Sequence, residues 1–232
     1  MKPVLDVDAY IFDVFGTVVD WRTSVARFVT PHINDIDPLT FADAWRARYQ
    51  PAMERVRDGG RDYVALDDLH FEMLSDTLTH FGIADEFDDG QRWALNRAWE
   101  HLDPWPDVLE GLNALREQAL IAPCSNGSIA LMSRLARYAS LPWHCILGAD
   151  LARNYKPQPQ VYLACCQALR LPPERVAMVA AHNNDLHAAR ACGLKTVFIA
   201  RLTEYGPNQT TDLTSDSDWD LEIFHFLQLS SA

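Results

Sequence analysis

The stretch from Ala9 to Asp20, AYIFDVFGTVVD, constrains this chain more than any other. A short apolar run ends on Asp13, and a turn with Gly16 and Thr17 follows almost at once. Apolar runs of this length, bounded by turn residues, are typical of buried strands. Asp13 would then lie at the carboxyl end of a strand, where open α/β sheets bind their ligands. In that place an Asp either caps a turn or acts as a nucleophile that forms a covalent intermediate.

The composition limits the class of protein and its partners. The 232 residues carry a formal net charge of −12, which argues against nucleic acid and anionic membranes as partners. The sequence shows no apolar run long enough for a membrane span and no signal peptide. Its five cysteines have no metal-ligand spacing. We therefore expect a cytoplasmic protein that forms one large domain, or a core with an insertion.

Apolar residues between positions 21 and 104 recur with the period of a helix. Phe41 and Trp45, for example, begin a stripe with spacings of three and four residues. We find no convincing strand in this part of the chain. The pattern predicts an all-helical cap domain at residues 21–104, inserted into a core formed by residues 1–20 and 105–232.

After residue 104, short apolar runs alternate with helical stripes. The runs predict four further strands, at residues 120–124, 145–147, 176–180 and 196–199. Asp107 is placed to cap the helix that follows it, and residues 216–229 predict a closing amphipathic helix. Strands that alternate with helices indicate an α/β fold with a doubly wound, parallel, Rossmann-like sheet.

Several polar residues fall at the predicted strand ends or in the loops beside them. They are Asp13, Ser125, Asn126, Lys156 and the segment from His182 to Asp185. A lone Ser-Asn-Gly is typical of a turn, and a lone Lys is typical of a solvated surface. Features of this kind at successive strand ends converge on one edge of a parallel sheet, so together they favour a site.

These motifs resemble those of the haloacid dehalogenase superfamily. The match covers nearly the whole chain and is carried by the segment from Asp13 to Asp20, by Ser125-Asn126-Gly127, by Lys156-Pro157 and by Asp185. The resemblance implies a Rossmann-like core with a helical cap. Most members of that superfamily are magnesium-dependent phosphatases, so the branch has to be argued separately.

Phe15 decides between the branches. Phosphatases of this superfamily carry an Asp two residues after the nucleophile, where it protonates the leaving oxygen. Phe15 stands at that position and can donate no proton. A halide leaves as a stable anion, so it needs no proton from the protein. The chain is therefore most similar to type II L-2-haloacid dehalogenases, which implies small L-2-haloalkanoic acids as substrates and no metal or other cofactor. Whether fluoroacetate is among the substrates depends on the volume of the halide pocket, which the sequence does not give.

The resemblance also implies roles for individual residues. Asp13 would be the nucleophile, and Lys156, Asp185 and His182 would be catalytic. Arg46 and Asn126 would bind the departing halide, and amides beside Phe15 and Gly16 would hold the substrate carboxylate with Ser125. The full predicted substrate-binding set is Phe15, Gly16, Thr17, Arg46, Ser125, Asn126 and Tyr162. Homodimers are common among the proteins that the chain resembles.

The fourth motif departs from the dehalogenase pattern. Ala180 and His182 replace a Ser and an Asn that help to position the hydrolytic water. His182 can accept a proton near neutral pH, or narrow the halide pocket towards fluoride, or serve only as a hydrogen-bonded structural residue. Asn184, which precedes Asp185, stands where the magnesium site of the phosphatases has a second acidic residue.

Two other functions stay open at this point. A magnesium-dependent small-molecule phosphatase would need another acid in place of Phe15 and a metal site without an acidic residue at position 184. A non-catalytic interaction protein could keep the fold after losing the chemistry. The presence of Asp13, Lys156 and Asp185 argues against the second alternative.

Overall fold

The computed structural model describes residues 4–230 of the chain. Its strands are β1 (Ala9–Phe12), β2 (Val19–Asp20), β3 (Asp103–Pro104), β4 (Leu120–Ser125), β5 (Leu147–Gly148), β6 (Val176–Ala180), β7 (Lys195–Ile199) and β8 (Leu221–Ile223). Its α-helices are α1 (Trp21–Val29), α2 (Pro38–Ala47), α3 (Tyr49–Arg57), α4 (Leu66–His80), α5 (Asp89–Asn96), α6 (Val108–Leu115), α7 (Ile129–Ala139), α8 (Ala149–Ala152), α9 (Pro159–Leu169) and α10 (Asn183–Ala191). Short 3-10 helices cover Ala84–Glu86, Arg97–Glu100, Pro173–Arg175 and Phe226–Leu229. None of the helices within residues 4–230 is both long and apolar enough to cross a bilayer.

The central sheet places the end of β1 beside a crevice. Six strands lie in the order β5-β4-β1-β6-β7-β8, and all of the pairings between them are parallel. Ala9 of β1 is in register with Leu120 of β4 on one side and Val176 of β6 on the other. The chain leads from β1 to β4 on one side and from β6 to β7 on the other, so the connections from the adjacent strands β1 and β6 run in opposite directions and open a crevice at their carboxyl ends. The predicted α/β fold with a parallel, doubly wound sheet is confirmed.

Helices occupy the chain between β2 and β3, two short strands that pair in antiparallel fashion. Local sequence explains where these helices begin. Asp20 accepts a hydrogen bond from the backbone N–H of Thr23, and Asp88 forms a capping box with Gln91. The apolar stripe that begins at Phe41 is divided between α2 and α3. The limits of a separate cap domain at residues 21 and 104 stay a prediction.

Two local predictions are wrong. The side chain of Asp107 does not cap α6. Its carboxylate instead accepts hydrogen bonds from Arg201 Nη1 at 2.8 Å and from the backbone N–H of Phe226 at 3.0 Å. The closing helix predicted over residues 216–229 is also absent from the described residues, which hold β8 and a 3-10 helix there. Pairing of β8 with β7 and the burial of Trp219 explain the apolar residues that suggested a helical stripe.

The pair formed by Asp107 and Arg201 gives a stability prediction, because the two side chains are only 10% and 9% exposed. We expect Arg201→Met to lower the free energy of unfolding by about 3–5 kcal/mol, since it leaves a buried carboxylate without its cation. Urea denaturation measures the change. Adding Asp107→Asn should restore part of the lost stability. An Arg201→Met variant with an unchanged free energy of unfolding would contradict the prediction.

Candidate active site

Asp13 lies directly after β1 with its carboxylate held by three donors. Lys156 Nζ donates to Oδ1 at 2.7 Å, Thr17 Oγ1 donates to Oδ2 at 2.7 Å, and His182 Nδ1 lies 3.1 Å from the same Oδ2. Burial alone would raise the pKa of Asp13, but the charges of Lys156 and His182 outweigh it and hold the pKa well below its ordinary value. Asp13 is therefore ionised, as a nucleophile must be.

Lys156 joins Asp13 to a second carboxylate. Its Nζ also donates to Asp185 Oδ2, and the Tyr162 hydroxyl donates to Asp185 Oδ1. Burial works against the charge on Lys156, but the two carboxylates raise its pKa above the ordinary value. Burial, reinforced by the charge of Asp13, raises the pKa of Asp185. The two carboxylates thus favour the ammonium form of Lys156, which aligns the two acids.

A magnesium ion does not fit this arrangement. Asp13 and Asp185 are the two acids bonded to Lys156, and Asn184 lies beside Asp185 on the cavity wall without adding a further carboxylate. Mg²⁺ needs open oxygen ligands in near-octahedral geometry. Within the part of the chain that the structure describes, no three His, Cys, Asp or Glu side chains are grouped to hold an ion.

Arg46 reaches the site from the last turn of α2 through a cluster of aromatic rings. The centre of its guanidinium group lies 3.9 Å from the ring centroid of Tyr49, 5.2 Å from that of Trp21 and 5.8 Å from that of Phe15. Its Nη1 is buried and has no hydrogen-bond partner among residues 4–230. An unpaired buried donor of this kind is costly, and a bound anion would satisfy it.

Asn126 presents a second polar group to the same space. Its side-chain oxygen accepts a hydrogen bond from the backbone N–H of Lys156 at 2.8 Å. The NH₂ end of the Asn126 amide therefore remains for an anion. The backbone carbonyl of Lys156 accepts from Arg57 Nη1 at 2.8 Å, so both backbone polar groups of this residue are fixed.

The site opens into a cavity of about 700 Å³. The predicted site residues on its wall are Asp13, Phe15, Arg46, Asn126, Lys156, His182 and Asp185. A second part of the wall comes from Tyr205 and from the loop that contains Thr210 to Thr214. The Asn183 side chain fixes this loop, because its amide donates to Asp212 Oδ1 at 2.8 Å and to the Thr214 carbonyl at 3.0 Å.

Four residues of the predicted substrate-binding set lie behind the wall instead of on it. Gly16 donates its backbone N–H to the Val19 carbonyl at 3.0 Å, which takes up that amide. Thr17 and Tyr162 donate to the two acids, and Ser125 Oγ accepts from the backbone N–H of Gly127 at 3.0 Å. None of the four is on the cavity wall, and their part in substrate binding stays a prediction.

Sequence reasoning missed Glu204, which lies beyond β7 and is 1% exposed. His182 Nε2 lies 2.9 Å from Glu204 Oε2, and Trp21 Nε1 donates to Glu204 Oε1 at 2.9 Å. The only available signal was a position a few residues after the fifth predicted strand, at the same edge of the sheet as the other site residues. A single Glu in a loop is usually solvated, so this signal alone did not distinguish it.

Comparison with known proteins places the chain among enzymes with this arrangement of elements. The family model described as haloacid dehalogenase-like hydrolase matches residues 7–193. The chain belongs to this family. Among curated relatives of this hydrolase, (S)-2-haloacid dehalogenase 1 of Pseudomonas sp. (strain CBS-3) is 30% identical over 204 residues, with 85% of this chain and 86% of the relative covered. A phosphoglycolate phosphatase of Chromobacterium violaceum is 29% identical over 231 residues, with 90% of each chain covered.

Solved structures similar to this haloacid dehalogenase-like hydrolase cover almost its entire length. The crystal structure of a defluorinating L-2-haloacid dehalogenase matches with a TM-score of 0.94 and 44% identity, covering 99% of this chain and 97% of that one. A second L-2-haloacid dehalogenase matches with a TM-score of 0.92 and 46% identity, covering 96% of this chain and 97% of the other. At these identities the hydrolase shares with both proteins the fold and the order of its elements.

Proposed function

We propose that this hydrolase converts small L-2-haloalkanoic acids to 2-hydroxy acids with inversion at C2, and that it also accepts fluoroacetate, whose C2 is not chiral. The unpaired Arg46 Nη1 carries the proposal, because it leaves a buried donor beside the cavity that holds Asp13. Phe15, on the same wall, offers no proton to a leaving group. The two L-2-haloacid dehalogenase structures that match nearly the whole chain support the same substrate class.

The first step is a displacement at carbon. A carboxylate oxygen of Asp13 attacks C2 of the substrate from the side opposite the halogen. The new bond joins that oxygen to C2, and the carbon–halogen bond breaks with its electron pair leaving on the halide. Arg46 and Asn126 stabilise the negative charge as it develops, and preorganised donors of this kind supply much of an enzyme's rate enhancement.

The second step is hydrolysis of the ester at Asp13. Water attacks the carboxyl carbon of Asp13, and the bond between that carbon and the oxygen attached to C2 breaks. The configuration at C2, inverted in the first step, does not change again. Lys156 stays beside the ester, held by Asp185, and stabilises the negative oxygen that forms during the attack.

A paired assay tests the proposed function. Halide release is measured from chloroacetate, fluoroacetate and L-2-chloropropionate in the presence of EDTA, and phosphate release from phosphoglycolate is measured with added magnesium. We expect halide release without metal, and D-lactate as the product from L-2-chloropropionate. Phosphate release that depends on magnesium, with no halide release, would instead establish a phosphatase.

A further inference from the structure

We infer that Glu204 and His182 form a proton-transfer pair that serves only the second half of the reaction, with His182 as general base and Glu204 as its positioning residue. The inference rests on the proposed function. While Asp13 is a free carboxylate, His182 is an imidazolium ion between two acids. Once Asp13 is an ester, His182 loses its Nδ1 proton and becomes the base that activates water.

The first argument comes from counting protons. His182 Nδ1 lies 3.1 Å from Asp13 Oδ2, and His182 Nε2 lies 2.9 Å from Glu204 Oε2. A neutral imidazole has one N–H, so it could satisfy only one of two ionised carboxylates. Both contacts are hydrogen bonds when the ring carries two protons. Burial alone would lower the pKa of His182, but the charges of Glu204 and Asp13 raise it well above its ordinary value.

The second argument comes from the change in charge during the reaction. Asp13 and Glu204 are the acids that contact the ring, Lys156 lies beyond Asp13, and Tyr205 and Arg46 lie near Glu204. Alkylation of Asp13 removes one of the two negative charges, and a neutral ester oxygen accepts the Nδ1 hydrogen bond more weakly than a carboxylate oxygen does. The imidazolium form then keeps Glu204 as the one anion in contact with the ring among the residues described, while the neighbouring cations remain.

The proton balance closes over the cycle. His182 releases its Nδ1 proton to solvent in the cavity after the halide has left. Water then attacks the Asp13 carboxyl carbon, one of its protons passes to Nδ1, and the other leaves on the hydroxyl group of the product. Asp13 is again a carboxylate and His182 again an imidazolium. The net products are one hydroxy acid, one halide and one proton for each haloacid and water consumed.

Two neighbouring residues hold Glu204 in place. Trp21 Nε1 donates to its Oε1, which leaves Oε2 for His182. Gly16 makes room for the carboxylate, since a Cβ at that position would lie 2.2 Å from the carboxyl carbon of Glu204. A carboxylate fixed on Nε2 keeps the opposite nitrogen, Nδ1, directed at Asp13, as the third member of a catalytic triad does for its histidine.

The test follows the ester in Glu204→Gln and His182→Asn after mixing with chloroacetate. General-base catalysis contributes about a hundredfold or more, so we expect His182→Asn to slow ester hydrolysis by that factor while alkylation changes less. Glu204→Gln should slow hydrolysis by about tenfold or more, as the loss of an orienting carboxylate does elsewhere. Both variants should accumulate protein that carries one carboxymethyl group, detected by intact-protein mass spectrometry and located at Asp13 in a peptide digest.

A pH profile separates this role from a structural one. Removing the negative charge of Glu204 lowers the pKa of His182, so the acid limb of kcat should move to lower pH in Glu204→Gln and disappear in His182→Asn. The exposed residues Glu222 and His80 supply the controls Glu222→Gln and His80→Asn, which should behave as the unmodified protein. Equal slowing of both steps without ester accumulation would overturn the inference. Absence of halide release from the unmodified protein would instead refute the proposed function.

Discussion

Replacing Asp13 with Asn abolishes halide release, with an expected fall in kcat on the order of 10⁴ or more, as the loss of a catalytic nucleophile gives in other enzymes. The amide is a poor nucleophile and lacks the charge that Lys156 stabilises. Halide release is measured with chloroacetate under conditions in which the unmodified protein is saturated. The variant should keep its fold, because Asn occupies nearly the same volume as Asp.

Asp8→Asn is the matched control for this prediction. Asp8 lies just before β1 and pairs with Arg175 at the surface, so the same chemical change falls at the opposite end of the same strand. It should leave halide release unchanged. A single turnover in water enriched with a heavy oxygen isotope gives an independent check. The label should appear in the Asp13 carboxylate and not in the product, whereas direct attack of water on C2 would label the product.

Replacing Arg46 with Met lowers kcat by about 10²–10³-fold, because it removes a preorganised donor for the charge that develops on the leaving halide. The expected loss is larger for fluoroacetate than for chloroacetate, since fluoride is the smaller ion and depends more on a strong hydrogen bond. Steady-state kinetics with both substrates measure the difference. Met keeps the apolar stem of the side chain among Phe15, Trp21 and Tyr49.

Arg55→Met provides the control for this prediction, because Arg55 is an exposed arginine on the next helix, α3. It should leave both rates unchanged. If Arg46→Met lost no activity, the unpaired Nη1 of Arg46 would not be the halide donor. If it lowered affinity alone, with kcat unchanged, Arg46 would bind the substrate equally well before and during the displacement.

The sequence was sufficient for the parts of this molecule that depend on local pattern. The apolar run before Asp13 predicted a central strand, and the position of the residue followed from the general geometry of parallel sheets. Helix period alone predicted the helices between residues 21 and 104. These features involve neighbours in the chain.

The features that sequence pattern did not reveal depend on distant contacts. Asp107 has the position of a helix cap. Its carboxylate instead accepts hydrogen bonds from Arg201, which lies far along the chain, and from the backbone N–H of Phe226. Glu204 looked like an ordinary loop acid until the fold placed it against His182. Amphipathic periodicity near residue 219 reflected burial against the sheet, and periodicity alone does not distinguish that from a helix.

The residues around Glu204 depend on one another, and this limits how enzymes of this kind can diverge. A side chain at position 16 would collide with the carboxylate, and the carboxylate has little purpose without the imidazole of His182. We expect Glu204, His182 and the indole of Trp21 to be inherited or lost as one unit, whereas Gly16 has a φ of +91° and is needed for the turn in either case. A relative with Asn at the position of His182 has no cation there. We therefore expect an uncharged residue at the position of Glu204 in such a relative. Introducing the histidine alone into such a relative would bury a positive charge without a counter-charge. Introducing His182, Glu204 and Trp21 together should transfer the proton chemistry as well.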